Sequence, residues 1–240
     1  MWRGGKGAVQ VIILAGGQGT RLRPLTDRTP KCLVEVSGRP FLHRQLDLLR
    51  AHGVRDVVLL VGYLADQVRT SVRDGRDFGL EIRYSSERDP LGTAGALKHA
   101  EPLLETEFVL LYGDSYLAID YRDFWRRFRA GGLAAMIAVY DNASSGDTGV
   151  RENVALGAAG RITAYRKDAG GAALTHVDAG VVALKRAVLD RIASGVSASL
   201  EGDLYPALAA QGKLAAYPTD RRFYDIGTPE RLAVFEQALA

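Results

Sequence analysis

Along the first 140 residues, short apolar runs rich in β-branched residues alternate with segments whose apolar positions recur at helical spacing. Compact apolar runs bounded by glycine and polar residues read as strands, and a 3.6-residue period reads as helix. Strands are predicted at Val9–Ala15, Val57–Val61, Leu80–Tyr84, Phe108–Tyr112 and Ala134–Tyr140, with helices at Phe41–Ala51, Ala65–Asp74, Thr93–Ala100 and Tyr121–Ala130. Gly53, Gly75 and Gly131 follow three of the helices at positions suited to a C-cap. This alternation predicts an α/β fold, a mostly parallel sheet wrapped by helices.

After Tyr140 the pattern changes. "DNASSGDTG" reads as a loop, and "NVALGAAGRITAYRK" as a hairpin turning at Gly157 to Gly160. A strand at His176–Leu184 precedes helices near Arg186–Ile192 and Leu200–Gln211, and a strand near Leu214–Tyr217 leads to a closing helix with Pro229 in its first turn. With no repeat, low-complexity tract or linker in view, residues 1–240 read as a single domain.

Composition narrows the class. Hydrophobic residues make up 47% of the 240 and charged residues 25%, close to globular averages, so a packed core is expected. The 31 basic and 28 acidic residues leave +3 with the signs mixed along the chain, which argues against a nucleic-acid partner. "MWRGGKGAVQVIILAGG" imitates a secretory signal, but its apolar run is short and ends in glycines, as a buried strand would. "VVLLVGYLA" is less than half of the roughly 20 residues a bilayer requires, so no membrane partner is expected. The single cysteine, Cys32, excludes an internal disulfide and a thiolate-cluster metal site, and points to a reducing, cytoplasmic setting. Oligomeric state is not legible.

The chemistry concentrates first in "LAGGQGTRLRPLTDRTPKCL", residues 14–33, which follows the first predicted strand. A loop there lies at the carboxyl edge of the sheet, where open α/β folds bind ligands, and glycines let backbone N–H groups approach phosphate oxygens. A Walker loop needs a Gly-Lys pair that nothing after Gly19 supplies. A dinucleotide fingerprint needs a third glycine where Leu22 stands, although Glu35 would serve as a ribose ligand. In a third reading Gly16, Gly17 and Gly19 cradle a nucleotide, while Arg21 and Lys31, on a segment carried outward by Pro24 and Pro30, stabilise a departing pyrophosphate. Read as a stretch by itself, the segment also permits Arg21 and Lys31 to be solvated charges on a proline-rich turn.

"LAGGQGTRLRPLTDRTPKCLVEVSGRP" resembles the signature of the sugar-1-phosphate nucleotidyltransferases, G-G-x-G-T-R-L-x-P-L-T followed by P-K-P, with Cys32 in place of the last proline. "DPLGTAGAL", "LLYGDSYL", "ITAYRK", "VDAGVVAL" and "FYDIGTPERL" continue the likeness in the family's order. "PLGTAG" is similar to the mannose-type and heptose-type guanylyltransferases, and "LLYGDSYL" to the heptose branch, that of D-glycero-D-manno-heptose 1-phosphate guanylyltransferase. The resemblance implies a Rossmann-like nucleotidyltransferase fold with a mixed, mostly parallel central sheet and a small sugar-binding hairpin. It implies a nucleotide-binding part at 1–140 and a sugar-binding, closing part at 141–240, with no further domain expected after "FYDIGTPERL".

By the same resemblance the substrates are a nucleoside triphosphate and a sugar 1-phosphate, with Mg²⁺ as cofactor. Asp114 and Asp225 would hold the Mg²⁺, which favours one or two carboxylates alongside phosphate and water oxygens. Arg21 and Lys31 would be the catalytic cations; Leu14, Gly16, Gly17, Gly19, Thr20, Glu87, Gly92 and Thr93 would bind the nucleotide. Asn153, Lys167, Asp178 and Gly180 would bind the sugar phosphate, although Arg166 and Asp168 replace the glutamate and proline that usually flank the lysine. Glu201 and Asp203 are further candidates there, or else helix caps. Gly92 and Gly95 would let backbone approach the base, and Glu87 falls where the family reads it. A carboxylate suits the two donors of guanine better than uracil, which favours GTP, with a uridylyltransferase as the alternative. Neither the four histidines nor Cys32 is needed for the chemistry, and Cys32 is expected to be a packed thiol.

Overall fold

The apolar runs alternate in direction when they fold. In the first strand, Val11 and Ile13 enter the core on one side of a sheet while Ile12 enters the core on the other, the two-sided burial expected of a strand between helical layers. A computed structural model describes residues 9–167 and 174–239. In chain order its elements begin with β1 (Gln10–Leu14), β2 (Glu35–Val36), β3 (Arg39–Pro40), α1 (Phe41–Ala51), β4 (Asp56–Val61), α2 (Ala65–Val72) and β5 (Glu81–Ser86). They continue through α3 (Gly92–His99), β6 (Glu107–Tyr112), β7 (Ser115–Tyr116), α4 (Tyr121–Gly131), β8 (Ala135–Tyr140) and α5 (Asn142–Ser145). The last are β9 (Val154–Leu156), β10 (Ile162–Tyr165), β11 (Val177–Lys185), α6 (Tyr205–Ala210), β12 (Leu214–Thr219), β13 (Tyr224–Asp225) and α7 (Pro229–Leu239).

Seven strands form the central sheet in the order β12-β8-β11-β6-β1-β4-β5. β1 runs parallel to β4 and β6, β4 to β5, and β8 to β12, while β11 lies antiparallel between β6 and β8. The fold is therefore the mixed, mostly parallel sheet expected. Helices α1, α2 and α4 cover one face and α3, α6 and the β9–β10 hairpin the other. The chain leaves β1 toward β4 and β5 and then returns to β6 on the other side of β1. That reversal opens a crevice at the carboxyl ends of β1 and β6, the usual ligand position in such sheets. A third apolar cluster, with Leu22, Val34, Val36, Phe41, Ile226 and Phe235, ties the glycine loop to α7.

Three local expectations are corrected. Gly132, at φ +68°, ends α4, whereas Gly131 is its last helical residue. The segment expected to be helical at Arg186–Ile192 is a tight 3₁₀ turn at Arg186–Arg191, anchored by buried Val188 and Leu189. The helix expected over Leu200–Gln211 is divided: a wide turn at Leu200–Leu204 precedes α6. Pro206 has no N–H to donate, so the α-helical ladder cannot run through it from the preceding turn. Asp203 accepts the Ser199 amide at 2.7 Å and so acts as a cap.

Candidate active site

The glycine loop and the lysine segment are built as one piece. Gly19 has φ +64°, and a Cβ there would lie 2.9 Å from the Lys31 Cβ and 3.0 Å from Thr26 Cγ2. Only glycine takes this backbone without strain and lets Lys31 pass so close. The Thr26 hydroxyl donates to the Gly19 carbonyl at 2.8 Å, and Leu22 is fully buried beneath the loop. Leu22 thus does the packing that a third glycine would do in a dinucleotide loop. Cys32 is buried and burial pushes its thiol up to about 12, so it stays protonated and inert at neutral pH.

Lys31 Nζ donates to Asp114 Oδ2, joining the loop after β1 to the loop after β6. The two-stranded β7–β13 ladder then sets Asp225 opposite Ser115, and the Ile226 amide donates to the Asp114 carbonyl at 3.0 Å. The backbones of two acidic residues more than a hundred positions apart are thereby brought together. Asp225 Oδ1 accepts the Gly227 amide at 2.8 Å and Arg231 Nη1 at 3.3 Å. Arg21 closes the group, its Nη2 lying 3.3 Å from where a Cβ on Gly227 would stand.

This cluster borders a cavity of about 630 Å³. Its wall includes Leu14, Gly16, Gly17, Gly19, Thr20, Arg21, Lys31, Glu87, Gly92, Thr93 and Asp114, so one concavity gathers all the candidate nucleotide residues, both candidate catalytic cations and one of the two candidate metal carboxylates. Glu87 Oε2 accepts the Leu91 amide at 3.1 Å. Its Oε1 lies close to the backbone of Gly16 and Gly62, where added Cβ atoms would come within 3.2 and 3.1 Å. Burial raises the Glu87 carboxyl above its ordinary range, partly offset by the Leu91 N–H.

Gly92 and Gly95 also make a close approach within the fold. Cβ atoms there would stand 2.5 Å from the Ala198 carbonyl oxygen and 2.6 Å from that of Val196, so these glycines let α3 close onto residues 196–198. Thr93 is committed to the same junction: its hydroxyl donates to Glu201 at 2.9 Å and accepts the Leu200 amide at 2.8 Å.

The candidate sugar residues gather away from that wall. Asp178 Oδ2 accepts the Tyr165 hydroxyl at 2.9 Å, its Oδ1 accepts the Gly180 amide at 2.8 Å, and its own amide donates to Asn153 at 2.9 Å. Burial raises the Asp178 carboxyl to about 7 despite those two donors. Gly180, at φ +80°, would place a Cβ 2.5 Å from that of Ser115, so its side-chain-free backbone lets β11 pass the residue beside Asp114. Lys167 Nζ reaches Ser199 Oγ only at 3.5 Å and is exposed; Asp168 lies outside the described residues. The two regions meet through aromatic rings. Tyr112 lines the cavity, its hydroxyl stands 3.4 Å from that of Tyr205, and the Tyr205 ring packs edge-on against Tyr165 at 5.1 Å.

Residues 10–240 match the profile of the Nucleotidyl transferase family. The chain belongs to that family. It is 32% identical over 228 residues to a mannose-1-phosphate guanylyltransferase of Mycobacterium tuberculosis, covering 92% of this chain and 62% of the relative. It is also 32% identical over 238 residues to a UTP–glucose-1-phosphate uridylyltransferase of Synechocystis, covering 91% of this chain and 60% of the relative. The chain thus spans about three fifths of the length of these curated relatives. Among solved structures, HddC from Yersinia pseudotuberculosis complexed with GMP-PN superposes with a TM-score of 0.80 at 27% identity, over 97% of this chain and all of that one.

At Asp114 and Asp225 the carboxylate donor set is of the kind that Mg²⁺ accepts. Among the described residues no group of three or more His, Cys, Asp or Glu could hold a metal. A divalent ion at Asp114 and Asp225 would draw its other ligands from phosphate and water, the habit of Mg²⁺ rather than of zinc or calcium. No helix among the described residues is long and apolar enough to cross a membrane.

Two features of the candidate site escaped the sequence reading. Gly113 passes so near β1 that a Cβ would fall 2.2 Å from the Leu14 carbonyl oxygen. Arg231 pairs with Asp225 from the first turn of α7. A cation there opposes the helix dipole, and that local conflict was the available sign of a specific partner.

Proposed function

We propose that the chain is a sugar-1-phosphate nucleotidyltransferase: a sugar 1-phosphate oxygen attacks the α-phosphorus of a nucleoside triphosphate in line, forming the NDP-sugar and releasing pyrophosphate. The favoured nucleotide is GTP and the favoured acceptor a mannose- or manno-heptose-type 1-phosphate. The observation that carries this reading is the cluster of two carboxylates and three cations beside the glycine-loop cavity.

The nucleophile is already an anion at neutral pH, so no side chain need remove a proton, and catalysis is alignment with charge neutralisation. Residues 16–20 present backbone N–H groups to the nucleotide phosphates. Arg21 faces the departing pyrophosphate, and Lys31, tethered at Asp114, stands between the two substrates' phosphates. Mg²⁺ bound by Asp114 and Asp225 would supply Lewis-acid stabilisation of charge on the reacting phosphates. On this reading residues 1–140 form the nucleotide side, while 141–240, with Asn153, Lys167, Asp178 and Gly180, form the sugar side.

Glu87 supports GTP, because its carboxylate sits in the cavity wall with capacity for the guanine N1–H and N2 amine. The Mycobacterium relative's name and the GMP-PN complex of HddC favour the same choice. A uridylyltransferase is the second reading, favoured by the Synechocystis relative at the same identity. Pyrophosphate release measured with Mg²⁺, each nucleoside triphosphate and a panel of sugar 1-phosphates tests both. Release with GTP and a manno-configured phosphate is expected; release with UTP alone overturns the guanylyl assignment, and none with any pair overturns the enzymatic one.

A further inference from the structure

Asp225 is the less exposed of the two candidate metal ligands, its side chain 13% exposed, and a guanidinium is already on it. Arg231 Nη1 lies 3.3 Å from both Asp225 oxygens, while its Nη2 donates to the Gly149 carbonyl at 3.1 Å. The guanidinium is thus held through both terminal nitrogens, between the β13 carboxylate and the loop before β9. Lys31 pairs with one oxygen of Asp114. Each carboxylate of the pair therefore carries its own cation.

We infer that Arg231 is a positioning residue that makes divalent-cation binding at Asp225 conditional on a phosphate-bearing substrate. The inference rests on the metal role proposed for Asp114 and Asp225. A doubly charged ion brought to Asp225 meets Arg231 at close range, and like charges at that separation in a partly desolvated site repel strongly. Arg231 cannot simply swing away without giving up Gly149 as well. A substrate phosphate removes the conflict, because it offers Arg231, and Arg21 across Gly227, an anionic partner of matching fork geometry. Metal and nucleotide would then enter together, and a bare ion would be held weakly.

The test is Mn²⁺ binding, read by the electron paramagnetic resonance signal of free Mn²⁺, with and without an α,β-methylene analogue of GTP or UTP. Binding of Mn²⁺ to the analogue in free solution is subtracted. The wild-type protein should bind Mn²⁺ weakly alone and at least about tenfold more tightly with the analogue, within the usual range of site-to-site coupling. Arg231→Gln should tighten binding of Mn²⁺ alone by about tenfold and lose most of the dependence on analogue, and Arg231→Lys, which keeps the charge but not the two-nitrogen hold, should fall between Arg231→Gln and wild type. Wild-type affinity that ignores the analogue overturns the inference without reliance on any variant. So does equal affinity in wild type and Arg231→Gln while Asp225→Asn abolishes binding, a result that leaves the metal site standing. Mn²⁺ binding that survives unchanged in Asp225→Asn overturns the metal assignment itself.

Discussion

The Ile226 amide donates to the Asp114 carbonyl at 3.0 Å, and this backbone bond holds the strand carrying Asp225 against residue 114. Because main chain makes the junction, either carboxylate can be neutralised without breaking it. Asp114→Asn and Asp225→Asn should each lower kcat by at least about 100-fold, the scale seen when one group stabilising a transition state is lost. Their melting temperatures should stay close to wild type. Steady-state pyrophosphate release and thermal unfolding on the same preparations check both halves.

Lys31 is packed against Gly19 and ion-paired with Asp114. Lys31→Met keeps most of the aliphatic stem and removes the charge, so the loop should hold its shape while the reaction slows by about 10²–10³-fold. A larger effect on kcat than on the KM for either substrate is expected, since the cation serves charge that develops as the phosphates exchange.

Glu87→Gln separates the two nucleotide readings. An amide supplies one acceptor where guanine offers two donors, and its own NH₂ faces guanine's donors unfavourably. The ratio of kcat/KM for GTP over UTP should fall by about 10-fold or more, in line with the loss of a buried hydrogen bond to a charged group. An unchanged ratio would remove Glu87 from base reading.

Asp178 predicts a pH dependence of stability. Its carboxyl titrates near the ordinary aspartate value of 3.8 when unfolded and at about 7 in the fold. Between those values the folded protein retains a proton that the unfolded chain has released, so stability falls as pH rises through the window and the loss is complete above about 7. Asp178→Asn should flatten the profile and stabilise the protein near neutrality by roughly 2 kcal/mol. Urea unfolding from about pH 4 to about pH 8 reads the difference.

Much of this was legible in the chain because its causes are local. β1, β4 and β6 are short and apolar on both faces, and the glycines and charges of residues 14–33 carry their phosphate chemistry in residue type and spacing. What was not legible depends on distant backbone. Gly92 and Gly95 look made for a flat ring, and nothing in their spacing announces that residues 196–198 also lie against them. Gly180 likewise reads as part of a sugar motif, and its spacing does not announce its close approach to Ser115 in another strand. The short β7 and β13 have too little pattern to announce themselves, and their pairing sets Asp225 opposite Ser115, the residue after Asp114.

The contact between Gly19 and Lys31 bears on protein engineering. Transplanting residues 16–20 alone onto another α/β scaffold would carry the cradle without the surface that shapes it, since the loop closes against the Lys31 stem and the Thr26 methyl. The smallest portable unit runs to residue 33, where buried Cys32 and Leu33 root it in the core.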